Sequence, residues 1–524
     1  MLNNVKDFGA CGNGVSDDRV AIQTAIDEAV AHQKAGIWFP AGTYRVSRTT
    51  VAGGRWSLDL NGIQDFMVMG EGSKSVVKLV DDTPPGNWHV FILRNDCRRV
   101  VFKDLVVDGN RTALKNPDEQ SHGIEVESGT EDLWIDGCIL RQCFGDGMRI
   151  VGAPGKHVKR LRIANSLFQA NKRSGLAIQR ALEQAIIANC SFDSTVTDQS
   201  IDFEPSGNDG PTDLVIQGCI INHTNQTPAV TLSGISGPDP LVRCKFSDNI
   251  VRGGNIFCTD VNQLTIQNNT VLVNNLGTVQ RIPIAIQRGG DSVIITGNLL
   301  VNDDISTHAV ISLEEVNKRQ VTRALVTDNL CFARAGIGIQ CLSADDVAIE
   351  DNMIVATDSC NNGILVRSEA SSVDNISVRD NDITVQGKGR WENGIHIAAD
   401  PQPIHHISIT GNSIRSADKG VLFNHTAFQQ QPVCALNRIG EDVSSPFVGI
   451  NNLPFKSMIV GGATSRGGMN PQSGAGRIIA GLNEPEGSIT GNVGDIFQSL
   501  NGTSGKVLWV KETGNGTDTG WIAK

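Results

Sequence analysis

The sequence predicts an all-β solenoid of short strands stacked coil upon coil, and three observations carry that prediction. The first is a phrase that recurs from about residue 120 to residue 437: apolar residues, a turn, then Asn, Cys or Ser. It reads Ile135-Asp136-Gly137-Cys138, Ile163-Ala164-Asn165-Ser166, Ile187-Ala188-Asn189-Cys190, Ile216-Gln217-Gly218-Cys219, Phe246-Ser247-Asp248-Asn249 and Ile266-Gln267-Asn268-Asn269. It continues through Asn298, Asn329, Asn352, Asn381, Asn412 and Asn437. The spacing of about 20 to 31 residues falls in the window of stacked repeats, each too small to bury its own apolar face. The second observation is composition: 56 glycines, only 5% aromatic residues, and periodic segments filled with Val, Ile, Thr and Asn, as short strands and tight turns require. The third is a second register about ten residues after each phrase, a small residue followed by alternating apolar positions.

The elements follow in order. Asp17-Asp18 precede apolar residues at 22, 25, 26, 29 and 30, which predicts a helix with an acidic start that covers the open first coil. Gly36–Val46 reads as strand, turn and strand, and residues 1–55 form this N-terminal cap. Residues 56–110 hold the first, less regular coils, and the solenoid domain spans 56–440. Gly461-Gly462, Gly467-Gly468 and Gly474-Ala475-Gly476 mark 441–475 as a glycine-rich linker. Residues 476–524 form a small C-terminal β module, with strands at Val493–Leu500 and Lys506–Glu512 around the Asn501-Gly502 turn.

Bulk properties exclude several classes. The net charge of −11 disfavours a nucleic-acid partner. No apolar run is long enough to span a bilayer, and the N-terminus lacks the pattern of a secretion signal. The 12 cysteines stand singly, without metal-site spacing, so Cys138, Cys190 and Cys219 are expected as stacked free thiols in the core.

Asp17-Asp18 with Ala21-Ile22-Gln23 and Ala25-Ile26, then Phe39-Pro40-Ala41-Gly42-Thr43-Tyr44, resembles the opening of the pectate-lyase-like superfamily of right-handed parallel β-helices. The likeness runs through Gly70-Glu71-Gly72 and Leu105–Asn110 to about residue 440. The resemblance implies the fold directly. For activity it implies a range, since the superfamily holds lyases, hydrolases, epimerases and phage tailspike depolymerases. The ending Thr513–Thr517 and Gly520–Lys524 resembles C-terminal β modules of phage tail proteins, which implies a homotrimer on a virion tail or outside a cell. A tailspike carries an attachment domain before the cap, whereas this chain starts at the cap.

Strand alternation places chemistry on one face. With Ile124, Met148, Leu176, Ile201 and Val230 inward, the next residues make an outward ladder of Glu125, Arg149, Ala177, Asp202 and Thr231. Two residues on runs a second ladder of Glu127, Val151, Gln179, Glu204 and Ser233, and His122, Asp146 and Ser174 stand ahead of the glycines. Farther along the chain, the same register is expected to place Gln287, Arg288, Glu314, Gln340, Arg367 and His396 on that face.

Asp202 and Glu204, separated by one inward residue, suit glycoside hydrolysis as acid and base or nucleophile, with Asp146 assisting. Arg149, Gln179, Arg180, Glu125, Glu127 and His122 are the expected substrate-binding groups. No cofactor and no metal site are expected for a hydrolase. A lyase acting on a uronate is the alternative, and Ca²⁺ on Glu125, Glu127, Asp146, Asp202 and Glu204 would then neutralise the substrate acid. Its base would not be a tyrosine, because Tyr44, the only one, lies in the cap. A structural protein that binds a glycan without cutting it is the third reading. The expectation is a depolymerase of a bacterial capsule or exopolysaccharide.

Overall fold

The computed structural model describes the chain except residues 82–85, 117, 194–196, 206–208, 235–239, 275–280, 304–307, 425–431, 449–458, 464–477, 482–483, 488–492, 494, 500–507 and 515–516. It divides into two compact units, Met1–Leu272 and Val273–Lys524. Both are parallel β-solenoids, and the C-terminal unit ends in a small antiparallel sheet.

The first unit opens with the helix Arg19–Ala31, which buries Ile22, Ala25, Ile26 and Ala29, while Val30 is left exposed. Gln23 on this helix caps the edge strand Trp56–Asn61: its amide donates to Asp59 O at 3.2 Å and accepts the Asp59 N–H at 2.9 Å. An open sheet edge is thereby closed by a side chain. Asp18 holds the N-cap position, yet its carboxylate turns to the Cys11 and Gly12 amides at 2.7 and 3.0 Å instead.

Each coil adds one strand to a long parallel wall. In the first unit these are Trp56–Asn61, His89–Arg94, Ile124–Glu127, Met148–Val151, Leu176–Arg180, Ile201–Phe203, Val230–Ser233 and Ile256–Thr259. The strands His89–Arg94, Arg98–Lys103 and Val106–Asp108 show that the stretch 56–110 already pairs in regular coils.

The recurring phrase has a conformational cause. At its corner the chain passes through left-handed backbone at Gly137, Asn165, Asn189, Gly218, Asp248 and Asn268, with φ between 50° and 64°. Gly, Asn and Asp reach that region at least cost, so the corner selects them. The residue after each corner turns inward: Cys138, Ser166, Cys190, Cys219, Asn249 and Asn269 are all 1–2% exposed. All twelve cysteines are free, and every one but Cys11 is buried, as expected for core thiols.

In the second unit the same slot is filled, among the described residues, by Asn298, Asn329, Asn352, Asn381, Asn412 and Asn437, and the side chains form a ladder. The backbone N–H groups of Asn298, Asn329, Asn352, Asn381 and Asn412 each reach the Oδ1 of the next asparagine at 3.1 Å. Each Nδ2 also donates to that Oδ1 at 2.9 Å. Buried amides stay affordable because their polar atoms are paired along the stack. The corner before them runs Gly297, Asp328, Asp351, Asp380, Gly411 and Leu436, again left-handed.

The polar residues expected on one register of this unit occupy two columns. Gln287, Glu314 and Arg367 share one with Leu342, while Gln340 and His396 share another with Ser312 and Leu365. Parallel pairing continues beyond residue 440, through Ser445–Val448, Ile459–Ala463 and Ile478–Gly481. The Gly467-Gly468 and Gly474–Gly476 runs of the expected linker lie outside the described residues, as does the Asn501-Gly502 turn. The terminal sheet pairs Ile496–Ser499, Leu508–Lys511 and Trp521–Ala523 around Phe497, Trp509 and Trp521. Among the described residues, no helix is long and apolar enough to cross a membrane.

Candidate active site

The expected inward stack forms in the first unit. Ile124, Met148, Leu176, Ile201 and Val230 are adjacent in register and fully buried. The outward ladder beside it pairs Glu125 with Arg149, Arg149 with Ala177, Ala177 with Asp202, and Asp202 with Thr231. The second ladder is only partly as expected. Glu127 opposes Val151, but the register slips between Ile150 and Val151, so Val151 opposes Arg180 and Gln179 is displaced from the ladder. Gln179 instead accepts a hydrogen bond from Arg149. The strand Ile201–Phe203 ends before Glu204, whose amide still donates to Ile178 O at 3.0 Å.

Facing away from the solenoid core does not leave these acids in water. Glu125 is 6% exposed, Asp202 5%, His122 1% and Asp146 0%. The outward ladder is therefore a buried one, a depth that strand alternation does not fix. Glu204 is the exception, its side chain 62% exposed. The site therefore has a buried floor of His122, Glu125, Asp146 and Asp202. Its rim holds Arg149, Gln179, Arg180, Glu127 and Glu204.

His122 and Asp146 each stand two residues ahead of a strand, Ile124–Glu127 and Met148–Val151, one coil apart, and Gly145 makes room between them. A Cβ on Gly145 would lie 2.6 Å from His122 Nδ1. The Asp146 N–H donates to His122 Nδ1 at 2.9 Å, and Asp146 Oδ1 accepts the Ser174 N–H at 2.9 Å. His89, one coil earlier, stacks its ring on His122 with centroids 5.2 Å apart. Glu125 Oε1 lies 3.3 Å from Arg149 Nη1.

Arg173 ties the acids together. Its guanidinium lies 3.8 Å from Asp146, 3.5 Å from Asp198 and 3.8 Å from Glu204. Neither Arg173, Asp198 nor His89 is evident from strand alternation. Arg173 and Asp198 sit on the turns leading into strands, one and two residues ahead of Ser174 and Ser200. His89 lies in the coils that lack the recurring phrase. The column that places His122 just ahead of a strand extends one coil back to His89, and that signal was available.

The environments separate the acids. Burial raises the Asp202 pKa to about 8, and the charges of Glu204, Asp146 and Asp198 push the same way against Arg173. Burial also opposes ionisation of Asp146, yet His122, Arg173 and the Ser174 amide outweigh it and hold its pKa below the usual value. Glu125 is raised by burial despite His122 and Arg149, and Glu127 is raised by burial as well. One buried acid is thus kept protonated near neutrality beside another kept ionised, the division that acid–base chemistry uses.

Residues 2–201 match the model of the family described as Rhamnogalacturonase A/epimerase, pectate lyase-like. Among curated proteins, mannuronan C5-epimerase AlgE5 of Azotobacter vinelandii is 31% identical over 239 residues, covering 41% of this chain and 23% of that protein. Mannuronan C5-epimerase AlgE4 of the same organism is 34% identical over 141 residues, covering 26% of this chain and 23% of its own length. Alginate lyase 7 of that organism is 37% identical over 118 residues, 21% of this chain and 13% of the lyase. The chain thus spans less than a quarter of the length of these relatives. The N-terminal fragment of gene product 12 of bacteriophage Phi29 shares the fold, with a TM-score of 0.55 at 15% identity over 92% of this chain and 84% of that one.

Proposed function

We propose that this pectate-lyase-like right-handed parallel β-helix protein acts on an acidic polysaccharide, transferring the C5 proton of a uronate residue. The observation that carries the reading is a pair of arginines set among carboxyl groups: Arg149 is ion-paired with Glu125, and Arg173 lies among Asp146, Asp198 and Glu204 and acts on Asp202. A uronate must have its carboxylate neutralised before its C5 proton can leave, and a guanidinium at the rim supplies that charge. In this reading Glu204 accepts the proton, a role supported by its exposure and its position 3.8 Å from Arg173. Asp202, carrying its own, returns a proton either to the departing C4 oxygen, giving elimination, or to the opposite face of C5, giving epimerisation. Similarity to mannuronan epimerases and an alginate lyase supports a uronan as the substrate class.

Glycosidic hydrolysis is the second reading, favoured by the Asp202–Glu204 pair itself. There Asp202 protonates the glycosidic oxygen and Glu204 activates water or attacks the sugar. A homotrimer, and a place on a virion tail or outside a cell, belong to the same proposal. Light scattering on the full chain tests the first of these.

The deciding experiment presents the protein with polymannuronate, polyguluronate, polygalacturonate and neutral polysaccharides. Elimination produces ultraviolet absorbance from a new C4=C5 bond, and epimerisation in D₂O places deuterium at C5. New reducing ends with neither signal, or activity on neutral polymers alone, would replace the uronate reading with hydrolysis.

A further inference from the structure

One ligating atom from each of His89, His122 and Glu125 lies within 4.8 Å of those of the other two. The three residues are 3%, 1% and 6% exposed. They carry buried polar atoms without hydrogen-bond partners: His89 Nδ1, His122 Nε2 and Glu125 Oε2, with Asp146 Oδ2 unpartnered behind them. Buried polar atoms are nearly always paired, so four bare ones in one cluster call for an explanation.

We propose that His89, His122 and Glu125 bind a divalent transition-metal ion of the Zn²⁺ class, leaving one coordination position open. Two imidazoles and a carboxylate suit Zn²⁺ or Co²⁺, whereas Ca²⁺ and Mg²⁺ take oxygen ligands. Three protein ligands with a free fourth position is the arrangement of zinc sites that act on a bound molecule. Arg149 sits at Glu125 Oε1, 3.3 Å away, which leaves Oε2 to the ion.

The surroundings fit. His122 Nδ1 faces Asp146, 2.9 Å from its N–H and 3.1 Å from its Oδ2. With Nε2 on the ion, the ring proton sits on Nδ1 and is donated to the unpartnered Asp146 Oδ2, 3.1 Å away, in place of the hydrogen bond from the Asp146 N–H. A carboxylate behind a metal-bound histidine fixes its tautomer and orientation. One ion would therefore engage His89 Nδ1, His122 Nε2 and Glu125 Oε2 directly and give Asp146 Oδ2 a donor through His122. An oxygen of the substrate carboxylate suits the open position; that role rests on the proposed function, whereas ion binding does not.

The test uses the full chain, stripped with chelator and titrated with Zn²⁺ or Co²⁺ in the absence of polysaccharide. One ion per chain is expected by elemental analysis and calorimetry, with visible absorption from bound Co²⁺. His89→Ala and Glu125→Gln should each weaken binding at least 10-fold, while His396→Ala, in the other unit, should leave it unchanged. Wild-type protein that takes up neither ion saturably at micromolar concentration would overturn the site without reliance on any variant. Undiminished uptake by both His89→Ala and Glu125→Gln would overturn it as well. Stoichiometric uptake by a protein inactive on every uronan would uphold the site and count against the proposed function alone.

Discussion

His122 and Asp146 meet across neighbouring coils, the Asp146 amide donating to His122 Nδ1 at 2.9 Å while Asp146 Oδ2 stands 3.1 Å from the same nitrogen. This contact pins an imidazole that is 1% exposed and helps keep a fully buried carboxylate ionised. The ordering of the site turns on it, because Asp146 in turn faces Arg173 and adds to the negative field that keeps Asp202 protonated.

Arg173→Met should destabilise the protein by about 1–3 kcal/mol near neutral pH, since it leaves Asp146 a buried charge with one cationic neighbour fewer. The depressed pKa of Asp146 contributes stability above its unfolded value of 3.8, and that contribution is lost as pH falls through the folded value. The difference between wild type and variant should therefore shrink in acid. Urea unfolding at pH 7 and at about pH 2, below the unfolded value, checks it.

Asp202 behaves with the opposite sign. Its folded pKa of about 8 exceeds its ordinary 3.8, so between those values the folded chain holds a proton that the unfolded chain has released. Wild-type stability should fall as pH rises through that window, and Asp202→Asn should be spared the fall. Thermal melts from pH 5 to pH 9 should show the variant gaining on wild type until about pH 8. Wild-type activity should decline above the same pH, as the acid loses its proton.

Asn381→Ala removes the acceptor used by both the backbone N–H and the Nδ2 of Asn352, at 3.1 and 2.9 Å. It also leaves Ile349 O without the Asn381 Nδ2 that donates to it at 2.9 Å. Orphaning these buried groups should cost about 2–4 kcal/mol, read from the urea midpoint. A substitution that costs less than about 0.5 kcal/mol would show that the ladder contributes little.

Gly411 and Asp380 occupy the same corner on successive coils, both with left-handed backbone, and a Cβ on Gly411 would fall 1.9 Å from Asp380 Oδ1. Gly411→Ala should cost about 1–2 kcal/mol, combining that clash with the left-handed φ. Asp380→Gly should stay within about 0.5 kcal/mol of wild type. Joining the two should recover part of the alanine penalty, a coupling that a double-mutant cycle measures.

The fold was legible because its demands repeat. The corners favour Gly, Asn or Asp, as at Gly137, Asn165 and Asp380, with Leu436 an exception, and the inward slot after them takes Cys or Asn, with Ser166 an exception, so the sequence carries nearly the same constraint coil after coil. The ladder of Glu125, Arg149 and Asp202 followed from alternation alone. What alternation could not show is depth. Asp202 and Glu204 both point away from the core, yet one is 5% exposed and the other has a side chain 62% exposed. Nor could it show the slip that drops Gln179 from register, or the reach of Arg173 from a turn, because neither belongs to the period of a strand.

The most direct test is turnover of a uronan by wild type, Asp202→Asn and Glu204→Gln, each confirmed folded by circular dichroism. The acid–base assignment predicts that both substitutions lower the rate about 100-fold or more, with the product of the residual reaction unchanged. Two folded variants that retain full activity would contradict it.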